Sequence, residues 1–162
     1  MEYSDGGGGG VTEPGGVGFK PATGDGPEPS GTGRAAEVRT AYEGLLQIRR
    51  LLAGGTAVPA PWELRAAARA VALVLEAAGF PPSAVDGAGR RVRNGYRVVP
   101  DADRVEVTWA GPPGGGAALE EQERLKACAA ELERHGWDCL LYRGPRGRRF
   151  LEVEAPGGRG TP

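Results

Sequence analysis

Histidine occurs once in this 162-residue chain, and cysteine twice, at Cys128 and Cys139, too far apart for a CxxC pair. One imidazole and two separated thiols cannot supply a tetrahedral zinc set, so no metal is expected. Long apolar runs are also missing. The most apolar segment, Ala66 to Gly79, is interrupted by Arg69 and Glu76 and is too short to cross a bilayer, so no membrane partner is expected. The opening Met-Glu-Tyr-Ser-Asp has neither the basic start nor the apolar run of a secretory leader. The expected compartment is therefore the reducing cytoplasm, where both cysteines read most simply as buried thiols. The helix and strand that carry them can pack together, which leaves a disulfide geometrically open. Phosphate-loop, dinucleotide-fingerprint, nucleophile-elbow and calcium-loop patterns are all absent, and no cofactor is expected. A formal net charge of −1 supplies no global field to draw in nucleic acid or an acidic membrane.

Glycine and proline crowd the first 34 residues, which include Gly6–Gly10 and Gly15-Gly16 and have hardly an aliphatic side chain. Such a segment cannot offset the entropy of ordering, and the expectation is a disordered tail over 1–34. A helix is expected over 35–53, with Val38, Ala41, Tyr42, Leu45, Ile48 and Leu52 on one face and Gly54-Gly55 as its stop. A second helix is expected over 61–78, opened by Pro61, with Leu64, Ala68, Val71, Leu75 and Ala78 aligned. The short joint suits an antiparallel helical hairpin. It suits a DNA-reading helix-turn-helix poorly, because the outer face is mostly alanine with Arg65, Arg69 and Glu76. The same apolar faces could serve as a dimer-forming arm. Residues 82–94 read as a helical turn at Pro82–Val85 followed by a linker.

The stretch from Arg93 to Glu154 organises the rest. Tyr96 to Val99 and Val105 to Trp109 flank a polar loop, which predicts a hairpin with strands near 95–99 and 105–109. Val105, Val107 and Trp109 should face inward, and Glu106 and Thr108 outward. Gly111–Gly116 reads as a flexible connection. A helix over 117–135 then carries an apolar stripe of Ala118, Leu125, Cys128, Ala129 and Leu132, with Glu120, Glu121, Glu123, Glu131 and Glu133 as surface acids. Gly136 suits the left-handed position after it. Strands near 137–142 and 149–154 follow, joined by a turn at Gly144–Gly147, with Leu151 and Val153 inward; a flexible end covers 156–162. The expected class is α+β: an N-terminal antiparallel helical hairpin, then a ββαββ unit, the helices covering one face of a small, mainly antiparallel four-stranded sheet.

His135 reads as a solvated residue of the last helical turn. Glu152 and Glu154 share a strand face with no second group set beside them, so acid-base chemistry has no assembled site. Two arginine clusters stand out. Arg90, Arg91, Arg93 and Arg97 lead into the first strand, while Arg143, Arg146, Arg148 and Arg149 surround the last turn. Arginine forks at the end of a β-ribbon can grip phosphates, or an acidic protein partner by charge complementarity.

Through Gly95-Tyr-Arg-Val98, Val105-Glu-Val-Thr-Trp109, Leu132-Glu-Arg-His-Gly-Trp137 and Leu151-Glu-Val153, residues 95–153 resemble small uncharacterised proteins of actinobacteria and their phages or mobile elements. The resemblance implies a fold and no activity. The expectation is thus a non-enzymatic protein acting through protein contacts, with a protein partner or a second copy of itself. Auxiliary DNA or RNA binding through the arginine-rich hairpin ends is the second expectation.

Overall fold

The computed structural model describes residues 19–157. Their class is α+β, with four helices and two antiparallel sheets. In chain order they are α1 (Arg34–Ala53), α2 (Pro61–Arg65), α3 (Ala67–Ala77), β1 (Ala84–Val85), β2 (Arg91–Arg93), β3 (Gly95–Asp101), β4 (Arg104–Ala110), α4 (Ala117–Arg134), β5 (Asp138–Arg143) and β6 (Arg149–Glu154). Strands β1 and β2 form a small ribbon where a helical turn and linker were expected. The other four form one sheet in the order β3-β4-β6-β5.

Alternation decides which face of that sheet is dry. Tyr96, Val98, Val105, Val107, Trp109, Leu151 and Val153 are buried against α3 and α4, and Cys139 and Leu141 of β5 pack at the margin of the same core. From α4 the buried stripe is Leu125, Cys128 and Leu132. Ala118, expected on it, is exposed, and Ala117 is buried instead. Helix α3 is the most enclosed element, with every residue from Ala70 to Leu75 buried, because it lies against the sheet on one side and α1 on the other.

The single helix expected over 61–78 is broken. Ala66 adopts φ −128°, ψ 56°, outside the helical region. Neither glycine nor proline sits there, so the break is tertiary in origin. It lets α2 turn Trp62 and Glu63 inward while α3 is buried all round. Glu63 meets Arg49 of α1 in a two-pronged ion pair, Nε to Oε2 at 2.8 Å and Nη2 to Oε1 at 2.7 Å, with both side chains fully buried. Arg49 also donates to the Thr56 carbonyl, and Glu63 accepts from the Ala60 N–H, so the joint between α1 and α2 is closed by one charged network. Arg49 displaces the register expected for α1 and α2. Leu52 and Leu64, placed inward by spacing, are 58% and 50% exposed.

Residues 19–33 are not a solvated tail. The part of that expectation at residues 1–18 lies outside the described residues. From Phe19 to Glu28 the chain runs as a strap along β3. Thr23 accepts from the Val98 N–H at 2.8 Å, Gly26 from the Val85 N–H at 2.9 Å, and Ala22 from the Tyr96 hydroxyl at 2.8 Å. Gly24, at φ 96°, is required there, since a Cβ would lie 2.3 Å from the Tyr96 carbonyl oxygen. Glu76 of α3 anchors the strap from below, accepting from the Ala22 N–H and from Arg34. At the other terminus Pro156 and Gly157 form a turn whose Gly157 N–H donates to Asp138, so the expected free end does not begin at 156.

Removing one partner from a buried ion pair strands the other charge, so Glu63→Gln should lower stability by about 3–5 kcal/mol. Leu132→Ala, which leaves a cavity, should cost about 2–5 kcal/mol. Urea denaturation checks both. The double change Arg49→Met/Glu63→Leu should recover part of the Glu63→Gln loss, and a double variant weaker than both single changes would refute the account.

Candidate functional site

The face of the sheet opposite α3 and α4 carries no helix among the described residues. Its side chains are those that alternate out of the core: Arg97 and Val99 on β3, Glu106, Thr108 and Ala110 on β4, Phe150, Glu152 and Glu154 on β6, and Asp138, Leu140 and Tyr142 on β5. Tyr142 and Phe150 stand opposite one another and stack, with ring centroids 5.4 Å apart. Leu140 and Tyr142 are 41% and 40% exposed, large for apolar side chains in mid-strand. Charge is divided across this face. Glu106, Glu152, Glu154 and Asp138 lie toward one end, where Arg104 pairs with Glu152 at 2.7 Å, and Arg91, Arg97 and Arg148 lie toward the other.

The expected arginine clusters are largely committed to partners inside the fold. Asp25 of the strap bridges two of them, bonding Arg91 at 2.5 Å and Arg97 at 2.8 Å, and Glu28 pairs with Arg93 at 2.5 Å. Arg91 further donates to the Gly24 carbonyl and the Ser83 hydroxyl. Burial by itself raises the Asp25 pKa, but the hydrogen bonds from Arg97 and Arg91 outweigh it and hold the carboxyl below its ordinary value. In the second cluster, Glu121 of α4 accepts from Arg148 Nε at 2.9 Å and from the Arg149 backbone N–H at 2.9 Å, with Arg149 Nη1 3.7 Å away. Arg148 also reaches the Trp109 carbonyl. Arg90, Arg143 and Arg146 remain exposed on turns and the strand end, Arg146 at φ 60°.

Glu121 is therefore a correction: read as a surface acid, it is only 2% exposed. Its signal was present, because it stands four residues before Leu125 and seven before Cys128, on the apolar stripe itself. His135 is a second correction. It is buried, with Nδ1 2.8 Å from the Glu131 carbonyl oxygen and Nε2 2.7 Å from the Tyr42 hydroxyl. The carbonyl can only accept, so Nδ1 carries the proton, and Nε2 accepts from Tyr42. Both ring nitrogens are occupied in structure. Cys128 is sealed in the core, and burial pushes its thiol up to about 12, which leaves it unreactive at neutral pH.

Between the clusters, a cleft of about 450 Å³ opens on the outer face, lined by Arg91, Arg97, Glu106, Thr108, Arg148 and Phe150 among others. It offers ionic and aromatic contact. No group of three metal-ligating side chains occurs among the described residues, and no described helix is long and apolar enough to cross a membrane.

The two outer edges of the sheet differ. Strand β3 is covered by the strap. Strand β5 is not paired on its far side in the described residues, and its direction of bonding is fixed by the turn. The Gly144 N–H donates to the Arg148 carbonyl at 2.6 Å, so the even-numbered residues of β5 bond to β6. Alternation in an antiparallel ladder then points the N–H and C=O of Leu141 and Arg143 away from the sheet. No protein-family model matches this chain, and neither a curated protein nor a solved structure is similar to it.

The Asp25 pairing has a pH signature. A carboxyl with a lowered pKa in the folded state contributes stability that is full above the ordinary value of 3.8 and fades as pH falls through the lowered one. The backbone amide shifts of Gly24 to Gly26 should follow a midpoint below 3.8 in an NMR titration, and Asp25→Asn should abolish that step. A midpoint at or above 3.8 would rule the pairing out.

Proposed function

We propose that this protein is a non-enzymatic contact module, which engages a protein partner through strand β5 and the apolar stripe beside it. The observation that carries this reading is the edge of the sheet at β5, beyond which no described strand pairs, with Leu140 and Tyr142 exposed beside Phe150. Natural sheets blunt exposed edges with lysine, proline, bulges or a covering segment, because a row of unpaired N–H and C=O groups pairs with any strand it meets. Strand β5 keeps an uninterrupted register with β6 and has neither proline nor lysine. It presents Leu140 and Tyr142 to solvent beside Phe150. An added strand supplies affinity through main-chain bonds, and side chains at alternate positions supply selectivity.

The second reading, nucleic-acid contact, is favoured by the cleft that sets Arg91, Arg97 and Arg148 around Phe150. Against it, those guanidinium groups are already held by Asp25 and Glu121, each carboxylate offsetting one of the two arginines it meets. A nucleic-acid backbone laid across the face would also meet Glu106, Glu152 and Glu154. Divided charge suits a protein surface of complementary pattern better than a uniform polyanion.

A photo-crosslinking side chain placed at Tyr142 tests the reading in cells. Discrete protein adducts are expected from Tyr142 and none from the same group at Arg39, an exposed site on α1. Adducts to nucleic acid, or none at all from Tyr142, would reject it.

A further inference from the structure

A second surface lies at the opposite edge of the sheet from β5 and stands independently of it. We propose that residues 24–33, the end of the strap and its link to α1, form a lid over a peptide-binding site. Asp25 and Glu28 fill that site in place of an acidic, extended segment of a partner protein.

The lid stands between two feet that share one anchor. Ahead of it, the Ala22 N–H donates to Glu76, and the Tyr96 hydroxyl donates to the Ala22 carbonyl. Behind it, Arg34 bonds the same Glu76 carboxylate through Nε and Nη2. The chain thus leaves and returns at one place, the plan of an Ω-loop. Its sequence, Gly-Asp-Gly-Pro-Glu-Pro-Ser-Gly-Thr-Gly, has no large apolar side chain to bury. Gly24 and Gly31, at φ 96° and 105°, turn the backbone near its two ends.

What holds the lid shut is polar and partly in solvent. Asp25 meets Arg91 at 2.5 Å and Arg97 at 2.8 Å, and Glu28 meets Arg93 at 2.5 Å. The two carboxylate side chains are 40% and 54% exposed, and ion pairs in such surroundings contribute little each. The Val85 N–H donates to the Gly26 carbonyl at 2.9 Å, so the lid lies beside β1 as an added strand does. An element held this way opens at a smaller cost than the fold as a whole.

Opening changes what the surface presents. Arg91, Arg93 and Arg97 lose both carboxylates, and the edge of β1 gains a main-chain donor at Val85. The lid itself displays what fits there. It is an extended backbone whose carbonyl reaches Val85, with one acid just before that residue and another two positions after it. A nucleic-acid strand fits worse, because Glu106 lines the cleft alongside Arg91 and Arg97. A partner segment must compete with the lid, so its apparent affinity is scaled down by the fraction of chains that are open.

Binding is read by NMR on the full chain, with the capped peptide Gly-Asp-Gly-Pro-Glu as probe. The Val85 amide and the Arg97 Nε–H should shift and saturate. Asp25→Asn/Glu28→Gln should bind the peptide about tenfold more tightly, because the ion pairs of the lid are lost. The same peptide with Asn and Gln in place of its acids should move neither signal. Equal affinity for the two chains would overturn the lid, and no shift in the variant would overturn the site. Sodium acetate giving the same shifts at matched carboxylate concentration would overturn peptide recognition. Tighter binding of oligothymidylate at those signals would overturn it in favour of nucleic acid.

Hydrogen exchange tests the lid without any ligand. The Val85 amide should exchange about tenfold faster in the double variant. Val107, buried on β4, should keep its rate, which also shows that the variant stays folded. A Val85 rate unchanged by the variant would overturn the lid.

Discussion

A single buried carboxylate governs the geometry of the outer surface. Glu121 sits on the apolar stripe of α4, and an unpaired charge at that depth would cost several kcal/mol, so the fold must bring donors to it. The donors are the Arg148 guanidinium and the Arg149 N–H, at the start of β6. Helix α4 is thereby fastened to the hairpin turn through charge, while Leu125, Cys128 and Leu132 fasten it to the sheet through packing. Arg148 also closes the turn before it, its carbonyl accepting from the Gly144 N–H at 2.6 Å.

The strap imposes a complementary constraint at the other edge. It is short of aliphatic side chains, and its hold is mainly polar: backbone bonds to Val98 and Val85, the Glu76 carboxylate against Ala22, and Asp25 between two arginines. Phe19 packs against the core and lies under the Arg34 guanidinium, 5.2 Å from its ring centre, in a cation–π contact. These bonds cover β3 and occupy most of the first arginine cluster at the same time. Among the described residues, the strap thus covers the β3 edge of the sheet, and no described strand pairs beyond β5.

The sequence was informative wherever one physical cause dominated. Alternation in Val105–Trp109 and in Leu151–Val153 identified the buried side chains, because one dry face imposes a period of two whatever the strand's neighbours are. The stripe Leu125, Cys128 and Leu132 was legible for the same reason. Legibility failed where a charged residue took a core position. Arg49 and Glu63 look like ordinary helix-surface residues, and their mutual burial shifts Leu52 and Leu64 to solvent and breaks the second helix at Ala66. Glu121 was hidden by its chemical type despite lying on the stripe. The strap was invisible because its stability comes from partners 54 to 75 residues away, which composition cannot report. As for the candidate surface, both arginine clusters were visible in the sequence, but their internal acids were not.

That last point changes how arginine should be read in this chain. A guanidinium that gives its Nε–H to a carboxylate, as Arg97 does to both oxygens of Asp25, keeps its charge but has one donor committed within the fold. Its field is offset at short range, and another anion gains little unless it displaces the carboxylate. The chain as a whole carries a net charge of −1, so there is no broader attraction to assist that displacement. Besides the exposed Arg90, Arg143 and Arg146, the surface offers the exposed faces of Leu140 and Tyr142 beside Phe150. Association through such groups depends weakly on salt and strongly on register. These properties separate pairing by strand addition from phosphate binding, whose affinity falls steeply as salt rises.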